Sequence, residues 1–420
     1  MKQLLIILVL SGLSFACFSE QLTITTNNET EINITRYTSL NPDKRFIWFA
    51  GENGYQNSEY KMGQQLSRYG EVWLPELFES HFLAAVPSSL AKIPASDVAA
   101  LIQSAASEVN QIILIGSGQG ILPLLSGLNL WQAANPKNQK LIGVILISPI
   151  FFTGTPTPGE KAEFLDITAI TNTNIFIIQP KLSPWYWKLK QSIEQLKKGG
   201  SDVYLQIIPG IRDRFYYRPD ATKVEISHRN LLAKKIISSS RLLFNLPVKV
   251  RIATKHQDKN NNTLTQKKEN SLKPYRSKTA TPDLRLMTLN QQLTDLKDYR
   301  GKVVLVNFWA SWCPPCVHEM PSMQRLQDSF NIDRFTILGV NMAEDEETIN
   351  KFISTKVNIN FPILLDSDGA ALQSWNVFAF PTSYLIDQKG KIRFALFGSI
   401  EWDSTDKIQV IQKLINESPE

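Results

Sequence analysis

Two cysteines separated by two prolines, Cys313-Pro-Pro-Cys316, are the residues of this 420-residue chain best suited to do chemistry. An apolar segment, residues 302–308, leads into the pair, and the pattern that follows predicts a helix beginning at the cysteines. At a helix N-terminus, free backbone N–H groups and the helix dipole favour a thiolate, the nucleophilic form of cysteine. Two thiols one helical turn apart can also close into a disulfide and reopen by exchange. The spacing therefore predicts redox chemistry.

A zinc site is the alternative for a C-x-x-C pair, and it would need two further Cys or His ligands. The chain has three cysteines and four histidines. The third cysteine, Cys17, lies near the N-terminus, and the histidines are scattered along the sequence. We therefore predict a redox-active pair, with neither a metal nor a cofactor.

The N-terminus predicts export. Residues 1–19 carry Lys2 and then an apolar run at residues 4–15, which is the pattern of a secretory signal and is too short to span a membrane. Cleavage after Ala16 or after Ser19 fits this pattern. Cys17 leaves a lipid anchor as an alternative to a soluble exported protein.

A break in composition divides the rest of the chain. Residues 251–278 carry eight Lys or Arg against two acidic residues, a net charge of +6, and have no apolar periodicity. The whole chain also has a net charge of +6, so its basicity belongs to this segment. We predict a flexible basic linker between two domains, residues 20–250 and residues 279–420. No folded basic face with interleaved aromatic residues accompanies it, so nucleic acid is not a predicted partner.

The second domain alternates strand and helix patterns. Buried strands are predicted at residues 302–308 and 335–341, with the cysteine helix between them, and a hairpin and a last helix follow from residue 382. This order predicts a thioredoxin-like α/β domain.

Three segments of this domain closely resemble the TlpA-like thioredoxins of the bacterial cell envelope. They are Trp309-Ala-Ser-Trp-Cys-Pro-Pro-Cys316, Glu319-Met-Pro321 and Phe380-Pro-Thr-Ser-Tyr-Leu-Ile-Asp387. The resemblance covers about 140 residues and implies a periplasmic thiol–disulfide oxidoreductase.

Roles for individual residues follow from this resemblance. Cys313 would be the attacking thiol and Cys316 the resolving thiol. Pro381 would be a cis-proline that faces the disulfide, where the substrate backbone docks. The other substrate-docking residues implied are Trp312, Pro315 and Phe380.

Glu319 is the third predicted catalytic residue. Ordinary thioredoxins have a buried Asp in the strand before the cysteines, whereas this chain has Asn307 there. In TlpA-like proteins an acidic residue after the motif can supply that charge, and Glu319 matches it. A carboxylate on the helix surface is the alternative reading of Glu319.

The resemblance also implies partners. It favours a reductant of disulfide-containing envelope proteins over an oxidant, and several TlpA-like proteins serve cytochrome c maturation. Such a reductant must be recharged by a membrane electron donor of the DsbD or CcdA type.

The first domain, residues 20–250, reads as a mostly parallel α/β sheet that resembles the α/β-hydrolases at the level of the fold. The turn Gly116-Ser-Gly-Gln-Gly120 stands where a nucleophile elbow would be, but Gly118 occupies the place of the nucleophile. The expected positions of the acid and of the histidine also lack those residues. Nucleotide binding is disfavoured because the glycine spacing does not match a phosphate-binding loop.

Three functions from different classes therefore remain open. The first is an exported oxidoreductase whose first domain is a degenerate hydrolase-like module that binds a partner. The second is a redox-regulated hydrolase, against which the missing catalytic triad argues. The third is a non-catalytic envelope scaffold with a structural disulfide.

Overall fold

The computed structural model describes residues 19–156, 162–247, 249, 251, 271–276 and 280–417. The strands of these residues form two large sheets and one two-stranded sheet. The predicted signal segment, residues 1–19, lies outside the described residues except for Ser19, which begins the first strand. In the described part of the chain, no helix combines the length and the apolar character that a membrane span requires.

The first sheet has eight strands in the order β1-β2-β4-β3-β5-β6-β7-β8. In chain order these are β1 (Ser19–Thr25), β2 (Glu31–Tyr37), β3 (Lys44–Phe49), β4 (Glu71–Pro75), β5 (Gln111–Ser117), β6 (Leu141–Ile147), β7 (Asn174–Leu182) and β8 (Asp202–Arg212). Strand β2 is antiparallel to both neighbours, and the strands from β4 to β8 pair in parallel. The predicted parallel-rich sheet is confirmed. Its likeness to the α/β-hydrolases stays a prediction.

Both faces of this sheet are covered. In β5, Ile112 and Leu114 belong to one hydrophobic core, whereas Ile113 and Ile115 belong to the core on the opposite face. Burial on both faces explains why the parallel strands read as continuous apolar runs. The helices of this half are α1 (Asn57–Leu66), α2 (Leu77–Ser80), α3 (Pro87–Leu90), α4 (Ala95–Ser107), α5 (Ile121–Ala134), α6 (Leu189–Lys198), α7 (Lys223–Asn230) and α8 (Leu232–Phe244).

The second large sheet has the order β14-β13-β12-β15-β16-β9. The strands of the second half are β9 (Lys273–Pro274), β10 (Arg285–Met287), β11 (Leu293–Asp295), β12 (Val303–Trp309), β13 (Phe335–Met342), β14 (Ile363–Asp366), β15 (Thr382–Ile386) and β16 (Ile392–Phe397). Its helices are α9 (Pro314–Asp328), α10 (Glu346–Lys356), α11 (Ala370–Ser374) and α12 (Thr405–Asn416). Strand β12 is parallel to β13 and antiparallel to β15. The predicted α/β class and the thioredoxin-like second half are confirmed, and β12 runs into the cysteine helix as expected.

A short part of the predicted linker, residues 251–278, pairs with the second sheet. Lys273–Pro274 pair with β16, and the N–H of Tyr275 donates to the carbonyl of Arg393 at 2.8 Å. The edge of β16 offers unpaired backbone groups, which recruit this short strand. Residues 252–270 and 277–278 of the predicted linker lie outside the described residues. The linker itself stays a prediction.

Candidate redox site

The two cysteines lie where the central strand of the second sheet meets its first long helix. Strand β12 ends at Trp309, Cys313 is the N-cap residue of α9, and Cys316 lies in the first turn. The two residues form a disulfide with an S–S distance of 2.12 Å and a Cα–Cα distance of 5.3 Å. Both are buried, Cys313 with 5% and Cys316 with 1% of its surface exposed.

The backbone of α9 favours negative charge on Cys313. Pro314 and Pro315 have no N–H, so the N–H of Cys316 is the first donor that the helix offers. It donates to Sγ of Cys313 at 3.3 Å. This bond and the dipole of a 15-residue helix both stabilise a thiolate more than a thiol. Sγ of Cys313 therefore lies at the positive end of the helix.

Glu319 lies one turn further along α9, inside the core rather than on the helix surface. Its side chain is fully buried, and burial raises its pKa to about 8. Three donors partly oppose that shift: Asn307 Nδ2 at 2.8 Å, Trp402 Nε1 at 3.2 Å and the N–H of Ile400 at 3.4 Å. The carboxyl group can therefore exchange a proton close to neutral pH.

Asn307 links this carboxyl group to the next strand. Its Nδ2 donates both to Oε1 of Glu319 and, at 2.9 Å, to Oγ of Ser383 in β15. Sequence reasoning named Asn307 and Glu319 but missed Ser383 and Trp402. Asn307 lies inside an otherwise apolar buried strand, and a buried Asn side chain needs hydrogen-bond partners. This was the signal in the sequence that further polar residues contact it.

The predicted docking residues lie on the turn before α9, in the first turn of α9 and immediately before β15. The ring of Trp312 meets that of Phe380 edge to face, with centroids 5.7 Å apart. The Phe380–Pro381 peptide bond is cis. Pro315 is exposed and Trp312 is half-buried. Phe380 is also half-buried, whereas Pro381 is buried. The docking role of these residues stays a prediction.

Glu344 is a further residue of the site that sequence reasoning missed. Its carboxylate accepts hydrogen bonds from the N–H of Ser311 at 2.7 Å and from Nδ2 of Asn341 at 2.8 Å. The hydroxyl of Ser311 donates to the same carboxylate. Through these hydrogen bonds, Glu344 connects the end of β13 to the turn that contains Trp312 and Cys313.

Residues of the first half contact both loops of the redox site. Nη1 of Arg212 donates to the carbonyl oxygen of Trp312 at 3.4 Å. Nζ of Lys188 lies 4.6 Å from the centre of the Phe378 ring. The first contact is one residue before Cys313, and the second is in the loop that leads to Pro381. Sequence reasoning predicted neither contact.

One family model matches part of the second half of the chain. The model of the AhpC/TSA family matches residues 278–395. The chain is 40% identical over 115 residues to the thioredoxin-like protein YneN of Bacillus subtilis (strain 168). The matched region is 27% of this chain and 66% of YneN. The chain is also 35% identical over 126 residues to the thiol-disulfide oxidoreductase ResA of Geobacillus kaustophilus (strain HTA426). The matched region is 30% of this chain and 72% of ResA.

One solved structure matches about a third of this chain. The thioredoxin domain of a thiol-disulfide oxidoreductase from Bacteroides vulgatus covers 34% of this chain and 99% of its own, with 27% identity and a TM-score of 0.30. The two curated relatives are thus matched over roughly two thirds of their length, and each match takes up less than a third of this chain.

Proposed function

Because the chain belongs to the thioredoxin-like thiol–disulfide oxidoreductases, we propose that it is exported and reduces disulfide bonds of cell-envelope proteins. The observation that carries the proposal is the Cys313–Cys316 disulfide at the N-terminus of α9. A pair closed within one helical turn is the oxidised product that a dithiol leaves behind after giving two electrons to a substrate disulfide.

The proposed reaction begins with the reduced pair. The thiolate of Cys313 attacks one sulfur of a client disulfide, a mixed disulfide forms, and the other client sulfur leaves as a thiolate. Cys316 then loses its proton and attacks Sγ of Cys313, which releases the second client thiolate and forms the disulfide seen here. Two electrons pass from the enzyme to the client, and both client sulfurs take up protons.

Glu319 is the proposed acceptor of the Cys316 proton. It follows Cys316 by three residues on α9, so the two side chains share a helix face. Its raised pKa of about 8 suits a group that must take up and release a proton near neutral pH.

The proposed client binds as an extended segment across Trp312, Pro315, Phe380 and Pro381. Reduction of the client leaves the enzyme oxidised, so a membrane electron donor of the DsbD or CcdA type must restore the dithiol. Apocytochromes that await haem attachment are candidate clients, as the resemblance to the TlpA-like proteins suggests.

The first half is the proposed client-selecting module. Arg212 and Lys188 contact Trp312 and Phe378 in the two loops that flank the disulfide, and these contacts support the proposal. A client that reaches Cys313 would then meet side chains of both halves.

The reduction potential of the Cys313–Cys316 pair in the full chain tests the direction of electron flow. Equilibration against thiol redox buffers should give a value near that of thioredoxin, about −270 mV, for a reductant. A value near about −120 mV, as for strong oxidants of the DsbA kind, would keep the fold but contradict the proposed reduction.

Substitution of each cysteine tests the order of attack. Cys316→Ser should accumulate mixed disulfides between Cys313 and envelope proteins, because the resolving thiol is gone. Cys313→Ser is the matched control and should trap none, since the attacking thiol is missing. Non-reducing electrophoresis and mass spectrometry identify the trapped species. If Cys316→Ser trapped only small thiols, envelope proteins would not be the clients.

A further inference from the structure

The turn between β5 and α5 in the first half has the backbone shape of a catalytic turn but not its side chain. Gly118 has a φ of +53°, a conformation that other residues seldom adopt. It follows a buried strand and precedes a helix, as the nucleophile does in a strand–turn–helix elbow. In such elbows, the N–H of the next residue and an N–H from the loop after β3 bind the oxyanion. Here the next residue is Gln119.

A carboxylate of the same chain occupies that N–H. Glu52 lies in the loop after β3, and its Oε2 accepts the hydrogen bond of the Gln119 N–H at 3.0 Å. Only 3% of Glu52 is exposed. A Cβ atom at position 118 would overlap Oε2 of Glu52, so the absence of a side chain at Gly118 leaves room for the carboxylate. Glu52 therefore fills the space that a nucleophile side chain would take.

Arg214 binds the other oxygen of Glu52. Its guanidinium forms an ion pair with Oε1, and 38% of the Arg214 side chain is exposed. Arg214 follows the end of β8 by two residues and has a φ of +58°, which its surroundings must enforce. Among the described residues, its buried Nε has no hydrogen-bond partner. The arginine is thus held beside Glu52 in a strained conformation while one edge of the guanidinium reaches solvent.

A backbone N–H at a helix start and a guanidinium are together a carboxylate-recognition set, because both donate to oxygen and both carry positive potential. We propose that the Gln119 N–H and Arg214 form a carboxylate-binding site in the first half of the chain, with Glu52 as its resident occupant. The negative charge of Glu52 also repels an oxyanion, so this half is specialised for holding a carboxylate instead of hydrolysing an ester.

Because Glu52 belongs to the same chain as the site, it competes with any carboxylate from solution. Glu52 is 67 positions from Gln119 in the sequence, but the fold holds its side chain at the site. Its effective concentration there is therefore on the order of millimolar or more, so free carboxylates compete poorly with Glu52. Removal of the Glu52 carboxylate should open the site to a small carboxylate from solution. The proposal concerns only the first half and does not depend on thiol exchange.

Chemical rescue of the full-length Glu52→Ala variant tests the site. The probes are formate and acetate, compared with chloride at equal ionic strength, and the readout is the unfolding temperature. Formate at about 100 mM should raise the unfolding temperature of the variant by roughly 3 °C if it binds with a Kd of about 10 mM. The wild type should show no such gain over chloride. An equal response of variant and wild type would overturn the proposal.

Arg214 and the glycine provide independent checks. Adding Arg214→Gln to Glu52→Ala should abolish the rescue by formate, and persistence of the rescue would contradict the assigned site.

Should Glu52→Ala fail to fold, Gly118→Ala can be compared with Gly210→Ala. Both glycines have a positive φ, but a Cβ at position 210 meets no atom within 4 Å. We expect Gly118→Ala to lower the unfolding temperature clearly more, whereas equal losses would show that Glu52 does not occupy the space beside the turn.

Discussion

At the scale of single residues, Glu319 couples the protonation of the redox site to the stability of the fold. The group has a pKa of about 8 in the folded chain because it is buried, against an ordinary value of 4.5. Between these values the folded state binds the proton that the unfolded state has lost. Folding stability must therefore fall as the pH rises from about 4.5 to about 8.

Glu319→Gln should remove this pH dependence. The neutral amide keeps the shape of the side chain, so the free energy of unfolding of the wild type should decline relative to the variant as the pH rises from 5 to 8. The expected change is on the order of a few kcal/mol. Denaturant unfolding of the oxidised protein at several pH values measures it. The exposed carboxylate Glu347 provides the control, because Glu347→Gln should leave the slope unchanged.

The same variant tests the catalytic proposal separately. If Glu319 accepts the Cys316 proton, Glu319→Gln should slow the resolution of a preformed mixed disulfide and change the pH profile of that step. An unaltered pH profile together with the altered stability would leave Glu319 a structural carboxyl group only.

At the scale of elements, a buried ion pair joins the end of β8 to α7. Nε and Nη2 of Arg212 each donate to a carboxylate oxygen of Glu225 at 2.7 Å. Burial by itself would raise the pKa of Glu225, but the hydrogen bonds and charge of Arg212 outweigh it and lower the pKa to about 2. Arg212 also contacts Trp312, so this pair holds the residue that links the first half to the redox loop.

Glu225→Ala should destabilise the first half by about 3–5 kcal/mol, because Arg212 would remain buried without its main partner. Asp220 also pairs with Arg212 but is 42% exposed at its side chain. Asp220→Ala is therefore the control and should cost less than about 1 kcal/mol. Denaturant unfolding measures both losses, and equal losses would contradict the assignment.

The ion pair also predicts an acid dependence. Because the folded pKa of Glu225 is lowered, its stabilisation is present above about pH 4.5 and is lost as the pH falls toward 2. The difference in stability between wild type and Glu225→Ala should shrink over that range.

At the scale of the whole molecule, the two halves meet beside the redox site. A Cβ at Gly369 would overlap the ring of Trp187, so this ring lies directly on the backbone of the second half. Lys188, the next residue, lies over the ring of Phe378. The contact surface therefore includes the loop before Pro381.

Trp187→Ala should loosen this contact. We expect faster amide hydrogen exchange in residues 369–380 and a larger radius of gyration, because the ring that packs on Gly369 is removed. Trp185→Ala is the matched control: Trp185 lies on the same short 3₁₀ helix but stacks on Phe152 of its own half, with centroids 5.4 Å apart. If amide hydrogen exchange in residues 369–380 were equally fast in both variants, the Trp187 contact would not hold the halves together.

The sequence alone was sufficient for the local features of this protein. The spacing of Cys313 and Cys316 after an apolar strand predicted a redox pair at a helix start, and the strand and helix patterns predicted the two α/β sheets. Such features can be read from a sequence because burial and helix geometry impose a short periodicity on neighbouring residues. The resemblance of the same segments to known thioredoxins added the roles of Glu319 and Pro381, which remain to be tested.

Only the tertiary structure decided which distant residues meet. Trp402 reaches Glu319 across 83 positions, and Glu52 reaches the N–H of Gln119 across 67 positions. Arg212 meets Trp312 across 100 positions. Such contacts depend on strand order and on how the chain crosses between elements, and no short periodicity records them. For that reason Glu319 could be read as either a surface or a core carboxylate from the sequence, and the contacts between the halves could not be read at all.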